Sequence, residues 1–281
     1  MSKKHIHLVS DSSGETVYAI ARACLGQFEE VEVVEHPWWL VRTEEQVDEV
    51  IEGVKAHPGI VLCTLLDKTM RTRLEKECRK LKILCVSVLD PILGALSNFL
   101  GAEILSLPGH QHTLNAEYFR RIDAIQFTLD HDDGQITSDI NDSDVVVVGV
   151  SRTSKTPTCM YLSHRGLKAT NIPLIPGMDP PETLLTATHP LIVGLTRDPD
   201  HLVGVRRIRL GLQGDDPGTD YADIAAIREE IVTARRLFAR HDWPVIDMTH
   251  RSIEEAAAAI IQLHAHHVDA REARENTKET V

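Results

Sequence analysis

The sequence predicts an α/β protein built from two domains, each with a parallel sheet. The chain has 281 residues, which exceeds the usual size of one domain, about 100 to 200 residues. Short apolar stretches alternate with helical patterns, an order typical of parallel strands joined by helices. Aromatic residues make up only 4% of the chain, so aliphatic side chains must form most of the core. We place the first domain at residues 1–110 and the second at residues 111–268.

The first domain contains four predicted strands with helices between them. The strands are predicted at residues 5–9, 31–35, 59–65 and 83–89. Two helix starts show the capping-box spacing, in which Ser or Thr is followed three residues later by Glu or Gln. The two pairs are Ser12 with Glu15 and Thr43 with Gln46. This order predicts a Rossmann-like parallel sheet.

A connection rich in Pro, Gly and His separates the two domains. It follows a short apolar helix predicted near residues 92–100 and includes His110 and His112, for which a loop role and a substrate contact stay open. After the connection we predict a helix at 116–129, which ends at the sequence HDDG.

The second domain repeats the α/β order. Its strands are predicted at residues 145–150, 172–175, 191–195 and 245–248. The last helix begins with a third capping box, Ser252 and Glu255. From about residue 269 the sequence has no apolar face and predicts a disordered tail at 269–281.

Composition excludes several classes of function. The formal charge of -12 and the absence of a basic stripe with aromatic residues argue against a nucleic-acid surface. No apolar run approaches the roughly 18 residues of a membrane span, and no signal peptide is visible, so a cytoplasmic protein is expected. The five cysteines form no CxxC pair and are expected to be reduced core residues. Cys159 is therefore assigned no chemistry.

The segment DVVVVGVSRTSKT at residues 144–156 has the parts of a phosphate-binding loop. Four valines predict a strand buried on both faces, and Gly149 opens the loop. Lys155 would contact phosphates as a catalytic and binding residue, and the Thr156 hydroxyl would bind Mg²⁺. Ser154 replaces the usual second glycine, which costs about 1 kcal/mol if that position needs a positive φ. The pattern favours a P-loop kinase-like domain over a plain strand, turn and helix start.

A longer segment resembles a known family. GVSRTSKTPTCMYL at 149–162 resembles the signature of the bacterial and plant regulatory proteins of pyruvate, phosphate dikinase and of phosphoenolpyruvate synthase. The resemblance continues at VSDSSGET (9–16), HDDG (131–134), GLKATNIPL (166–174) and SIEEAAAAI (252–260). It implies a bifunctional enzyme that phosphorylates a threonine of its target with ADP as donor. The same enzyme would remove the phosphoryl group with inorganic phosphate and release pyrophosphate.

The resemblance also implies which residues hold ADP. They are Gly149, Val150, Ser151, Arg152, Thr153, Ser154, Lys155 and Thr156. The Thr–Ser pair before the lysine favours the dikinase over the synthase as target, and a homodimer is an assembly that the family allows. Two other classes stay open, a small-molecule P-loop kinase that uses ATP and a non-catalytic nucleotide sensor.

Asp132 and Asp133 are the candidates for the general base that accepts the hydroxyl proton. They are equally suited to hold Mg²⁺, and a helix end with two solvated acids is the alternative. Arg152, inside the loop, is a further catalytic candidate because it would neutralise a phosphate.

Three arginines lie on a predicted helix after the third strand of the second domain. The spacing of Arg206 and Arg209 favours one shared functional side, while Arg207 is assigned to solvent. A solvated basic face is the alternative for all three.

Two further groups of residues are interpreted from their positions in the sequence. Ser10, Asp11, Ser12 and Gly14 follow the first strand, where α/β sheets bind ligands, and are a candidate recognition surface. His264, His266 and His267 have no Cys or carboxylate partner at metal-ligand spacing and are interpreted as ordinary helix residues.

Overall fold

The computed structural model of the protein describes residues 3–29, 31–109, 116–134, 138–213 and 220–279. The chain divides into two compact units, Met1–Thr113 and Leu114–Val281. Each unit contains a four-stranded, all-parallel sheet, which confirms the predicted α/β class. Within the described ranges, no helix combines the length and the apolar character needed to cross a bilayer.

The first unit is a sheet covered by helices on both faces. Its strands are β1 (Lys4–Val9), β2 (Val33–Trp38), β3 (Ile60–Cys63) and β4 (Cys85–Ser87), in the order β2-β1-β3-β4. Its helices are α1 (Glu15–Leu25), α2 (Glu44–Ala56), α3 (Lys68–Lys80) and α4 (Asp90–Leu100). Val17 of α1 packs with Leu8 on one face, while Val50 of α2 and Leu74 of α3 pack with Val61 on the other. The four predicted strands are present, with β2 lying later in the chain than predicted.

The two predicted helix caps of this unit have different outcomes. The Thr43 side chain accepts from the Gln46 N–H at 3.3 Å, and Gln46 Oε1 accepts from the Thr43 N–H at 3.1 Å, so this capping box is confirmed. The box predicted at Ser12 and Glu15 is wrong. Helix α1 follows Gly14, which has a φ of 81° and gives no side-chain cap. The left-handed glycine makes the turn into the helix without a side-chain hydrogen bond.

The second unit has the same layered arrangement. Its strands are β5 (Val145–Gly149), β6 (Ala169–Pro173), β7 (Leu191–Thr196) and β8 (Val245–Asp247), in the order β6-β5-β7-β8. Its helices are α5 (Ala116–Asp130), α6 (Lys155–His164), α7 (Glu182–Leu185), α8 (Pro199–Gln213), α9 (Ile224–Arg240) and α10 (Ile253–Glu279). The four predicted strands are again present, with β6 lying earlier than predicted.

Strand β5 lies inside its sheet and is buried on both faces. Its four valines have no exposed surface. Val145 and Val147 pack in a core with residues of α6 and α10, while Val146 and Val148 pack in a second core with residues of α9. The continuous valine run is therefore the buried parallel strand that the sequence predicts.

Helix α10 continues to Glu279, so the disordered tail predicted from residue 269 is wrong. Ala, Arg and Glu in this stretch are strong helix formers, and they extend a helix that packing has already started. Arg271 Nη1 donates to the His189 carbonyl at 3.4 Å, which ties the extension to its own unit. At the other end, Ser252 Oγ accepts from the Glu255 N–H at 3.1 Å, which confirms the third capping box.

Candidate active site

Residues 150–154 form a tight loop between β5 and α6. Arg152 and Ser154 have φ values of 69° and 66°, so Ser154 has the positive φ that the sequence pattern raised. Thr153 Oγ1 donates to the Val150 carbonyl at 2.9 Å and closes the loop. A Cβ on Gly149 would lie 2.6 Å from the Leu195 carbonyl oxygen of β7. Glycine is required there because the neighbouring backbone approaches too closely for a side chain.

The loop has free hydrogen-bond donors. No described residue accepts a hydrogen bond from the backbone N–H groups of Ser151, Arg152, Thr153 or Ser154. The next residues begin α6, whose first N–H groups also lack intrahelical acceptors and carry the positive end of the helix dipole. Such a set of donors is suited to bind an anion such as a phosphate.

Lys155 points into this loop from the first turn of α6. Its Nζ donates to the Val150 carbonyl at 3.1 Å, and only 6% of the residue is exposed. Burial lowers the pKa of Lys155 to about 8, although the charge of Asp133 opposes the shift. An anion in the loop would favour the protonated ammonium and offset the cost of its burial.

Asp132 and Asp133 lie beside the loop in a single helical turn, Asp132–Gly134. The turn is held against β6 because the Asn171 N–H donates to the His131 carbonyl at 3.2 Å. The Thr156 hydroxyl donates to Asp132 Oδ1 at 3.1 Å. The structure therefore brings Asp132 into contact with the residue that the sequence assigns to Mg²⁺, and Asn171 Nδ2 joins Asp133 to the same group at 3.1 Å.

The oxygen atoms of this group fit Mg²⁺, which prefers carboxylate, hydroxyl and phosphate oxygens. Thr156 Oγ1 and Asp132 Oδ1 would hold the ion. The described part of the chain contains no group of three or more His, Cys, Asp and Glu residues that could hold a metal ion. A cation here would therefore need ligands from a phosphate or from water, as is common for Mg²⁺.

Arg206 does not face the loop as a free cation. Its side chain is 1% exposed and forms hydrogen bonds of 2.9 and 2.6 Å to the two carboxylate oxygens of Glu230. It also donates to the Ser151 carbonyl at 3.2 Å and so stabilises the loop backbone. Arg207 and Arg209 are exposed. The shared functional side predicted for Arg206 and Arg209 is wrong, because a spacing of three leaves an offset of about 60° around a helix.

The chain is similar to a known protein family. A family model described as kinase/pyrophosphorylase matches residues 6–261. The chain belongs to this family. The family and the loop geometry together support a phosphotransferase activity, and the resemblance found in the sequence is confirmed.

Relatives of the family cover nearly the whole chain. A protein of Paramagnetospirillum magneticum is 54% identical over 96% of this chain and 87% of its own length. Proteins of Rhodospirillum rubrum and Caulobacter vibrioides are 51% and 50% identical over 93% and 92% of this chain, and over 95% and 82% of their own lengths. The name of each of the three includes the words pyruvate, phosphate dikinase regulatory protein.

Three residues near the loop were missed by the sequence interpretation. Arg197 Nη2 donates to Ser154 Oγ at 3.3 Å, and Asn171 contacts the Asp132 carboxylate. Arg197 directly follows β7, at the edge where α/β sheets bind ligands, so this rule could have found it. Asn171 lies in the middle of β6, where the rule gives no signal. Tyr221 lies with its hydroxyl 3.0 Å from Ser151 Oγ. Tyr221 lies 70 residues after Ser151 in the chain, so no local sequence pattern relates it to the loop.

The other candidates belong to the core of the second unit, to α10 or to the first unit. Cys159 is buried in the core, and burial raises the pKa of its thiol, as expected for a residue without chemistry. Asp11 of the first unit accepts from the Leu66 N–H at 2.7 Å, and burial raises its pKa. A recognition role for Ser10, Asp11, Ser12 and Gly14 stays a prediction. His264, His266 and His267 belong to α10, whereas His110 and His112 lie outside the described residues.

Proposed function

We propose that this chain is a bifunctional regulator of pyruvate, phosphate dikinase. It phosphorylates a threonine of the dikinase with ADP and removes the phosphoryl group with inorganic phosphate. The proposal rests on one observation. Asp132, Asp133 and Thr156 form a group beside the loop into which Lys155 points. The target is taken from the names of the relatives.

In the forward direction, the loop N–H groups and Lys155 hold the β-phosphate of ADP. Arg152, which is exposed and donates to the Tyr221 hydroxyl at 3.2 Å, adds a second positive charge at the loop. The threonine oxygen attacks the β-phosphorus, and the bond from this phosphorus to the bridging oxygen breaks. AMP leaves with that oxygen, and the hydroxyl proton passes to a carboxylate.

The geometry favours different roles for the two carboxylates. Asp132 Oδ1 already accepts from Thr156 and Asn171, so it is assigned to the cation side of the group. Asp133 is exposed and lies nearest to solvent, where a substrate hydroxyl would enter, so it is assigned as the general base. When bound, Mg²⁺ supplies positive charge to the transferred phosphoryl group.

The reverse direction uses the same groups. An oxygen of inorganic phosphate held in the loop attacks the phosphorus of phosphothreonine. The bond from phosphorus to the threonine oxygen breaks, and pyrophosphate forms. Asp133 returns a proton to the threonine oxygen, so one carboxylate serves as base in one direction and acid in the other.

The test uses purified dikinase and ADP labelled in its β-phosphate. Label on a dikinase threonine, with AMP as the other product, is the expected result. Parallel reactions contain ATP as donor or phosphoenolpyruvate synthase as target. Lys155→Ala should abolish transfer in both directions, whereas Lys168→Ala, which removes an ion pair with Asp123 at 2.8 Å, should leave it intact.

Other outcomes would overturn the proposal in distinct ways. Label on a small molecule instead of a protein would indicate a metabolite kinase. Nucleotide binding without turnover would indicate a sensor, and label on the synthase alone would reassign the target. Full activity of Lys155→Ala would remove the loop from the mechanism.

A further inference from the structure

The side-chain amide of Asn171 lies at the centre of the oxygen atoms beside the loop. Its Nδ2 is 2.6 Å from Asp132 Oδ1, 3.1 Å from Asp133 Oδ1 and 2.9 Å from Thr156 Oγ1. Asn171 belongs to β6 and pairs in parallel register with Val147 of β5. One residue, fixed in the sheet, therefore contacts three of the side chains that the proposed reaction uses.

The chemistry of these neighbours fixes the orientation of the amide. Ionised carboxylates only accept hydrogen bonds, and the Thr156 hydroxyl already donates its proton to Asp132. All three oxygens therefore present lone pairs to Asn171. An amide turned by 180° would place its carbonyl oxygen against them, so the nitrogen must face the group.

The burial of Asn171 argues against a role in filling space. The residue is 1% exposed, and its Oδ1 is buried without a partner among the described residues. An unpaired buried carbonyl is unfavourable, so a position that only needed volume would be better filled by an apolar side chain. The neighbouring Thr170, also buried, instead satisfies its hydroxyl on Ser143 Oγ at 2.7 Å.

We propose that Asn171 is a positioning residue for phosphoryl transfer. Its neutral NH₂ group holds Asp132, Asp133 and Thr156 together without cancelling their charge. The two carboxylates would otherwise repel each other, and a lysine in this place would neutralise the charge that binds a cation and accepts a proton. The inference rests on the proposed function, because it assigns a role to Asn171 in that reaction.

The expected effect is on turnover and on cation binding, because Asn171 forms hydrogen bonds to the two carboxylates and to the Thr156 hydroxyl but none to loop residues 150–154. Loss of residues that orient metal ligands commonly lowers activity or metal affinity on the order of 10–100-fold. We expect a loss of this size in both directions for Asn171→Ala. Asn171→Asp keeps the shape but replaces the donor by a third negative charge, so it should lose at least as much turnover. The KM for ADP should stay unchanged in Asn171→Ala.

The experiment compares these two variants with Thr170→Val. The control keeps its shape and loses a buried hydrogen bond in the same strand, so it reports the effect of structural damage alone. Turnover is measured in both directions with dikinase, and thermal unfolding is followed for each protein. Binding of Mn²⁺ in the presence of ADP, measured by calorimetry, gives a readout that does not need activity.

The inference requires weaker Mn²⁺ binding and lower turnover in Asn171→Ala, with both quantities unchanged in Thr170→Val. Wild-type turnover and Mn²⁺ affinity in either Asn171 variant would overturn it. So would an equal loss of turnover in Thr170→Val at an equal loss of stability. If the wild-type protein transfers no phosphoryl group at all, the proposed function fails, and the Mn²⁺ titration alone decides the role of Asn171.

Discussion

The two units of the chain have the same frame around their first strands but different chemistry in the loops that follow. In each sheet the first strand lies between the second and the third, and residues 10–14 or 150–154 connect it to a helix. Each loop ends in a left-handed residue, Gly14 with a φ of 81° or Ser154 with a φ of 66°. The helix then begins with Glu15 in the first unit and with Lys155 in the second.

The two loops also differ in the surroundings of the arginine that contacts them. In each, an arginine donates to the carbonyl of the second residue after the strand, Arg42 to Asp11 at 2.8 Å and Arg206 to Ser151 at 3.2 Å. Arg42 is exposed, whereas Arg206 is buried with Glu230. Two loops of equal length thus differ in the charge that they present, because the side chains at and beside each loop decide that charge.

The largest expected effect is a difference in stability between variants of these two arginines. Arg206→Met leaves Glu230 buried without its partner, which should destabilise the second unit by about 3–5 kcal/mol. Arg42→Met removes only an exposed contact and should cost less than about 1 kcal/mol. Urea unfolding of both variants measures the difference. Equal losses would show that the buried pair does not distinguish the loops.

The strand ends provide a second contrast. Val9 ends β1, but Gly149 ends β5, where the Leu195 carbonyl leaves no room for a Cβ. Gly149→Ala should therefore destabilise the protein by about 1–3 kcal/mol and weaken ADP binding. Gly204→Ala is the control, because its Cβ would meet nothing within 4 Å in α8. Calorimetric titration with ADP and thermal unfolding measure the two effects. A Gly149→Ala variant with wild-type ADP affinity and wild-type stability would contradict the steric argument.

The two helix starts should differ in their response to pH. Because the pKa of Lys155 is lowered to about 8, the free protein loses this charge as the pH rises above that value. A bound anion restores the charge, so ADP binding should take up a proton above pH 8. Affinity should then fall by up to about tenfold per pH unit.

Calorimetry in buffers of different ionisation enthalpy measures this proton uptake. Glu15→Gln should keep it, and Lys155→Ala should abolish it. The same uptake in Lys155→Ala would assign the proton to another group.

The smallest effect concerns the last residue of each loop. Ser154→Gly gives the second loop the residue that the first already has at Gly14. It should stabilise the free protein by about 1 kcal/mol or less, because glycine adopts a positive φ without strain. Thermal unfolding measures this gain. A lower stability would mean that the contact of Ser154 Oγ with Arg197 at 3.3 Å outweighs the strain.

Local patterns made much of the fold predictable. The strand at Val145–Gly149 was visible because a strand buried on both faces needs a continuous apolar run. The capping boxes at Thr43 and Ser252 were visible because their partners lie three residues away. The box at Ser12 failed, since the same spacing occurs where a left-handed Gly14 makes the turn instead.

The sequence by itself determined the α/β class, the buried strand before the loop at residues 150–154 and the side chains that this loop carries. These depend on periodicity and on neighbours within a few residues, which the order of amino acids fixes directly. Only the tertiary structure decided that Asn171 joins Asp132 and Thr156, and that Arg206 is buried on Glu230 rather than facing a phosphate. Those contacts link residues 15 to 39 positions apart, and they exist because the sheet places β6 beside β5 and packs α8 against α9.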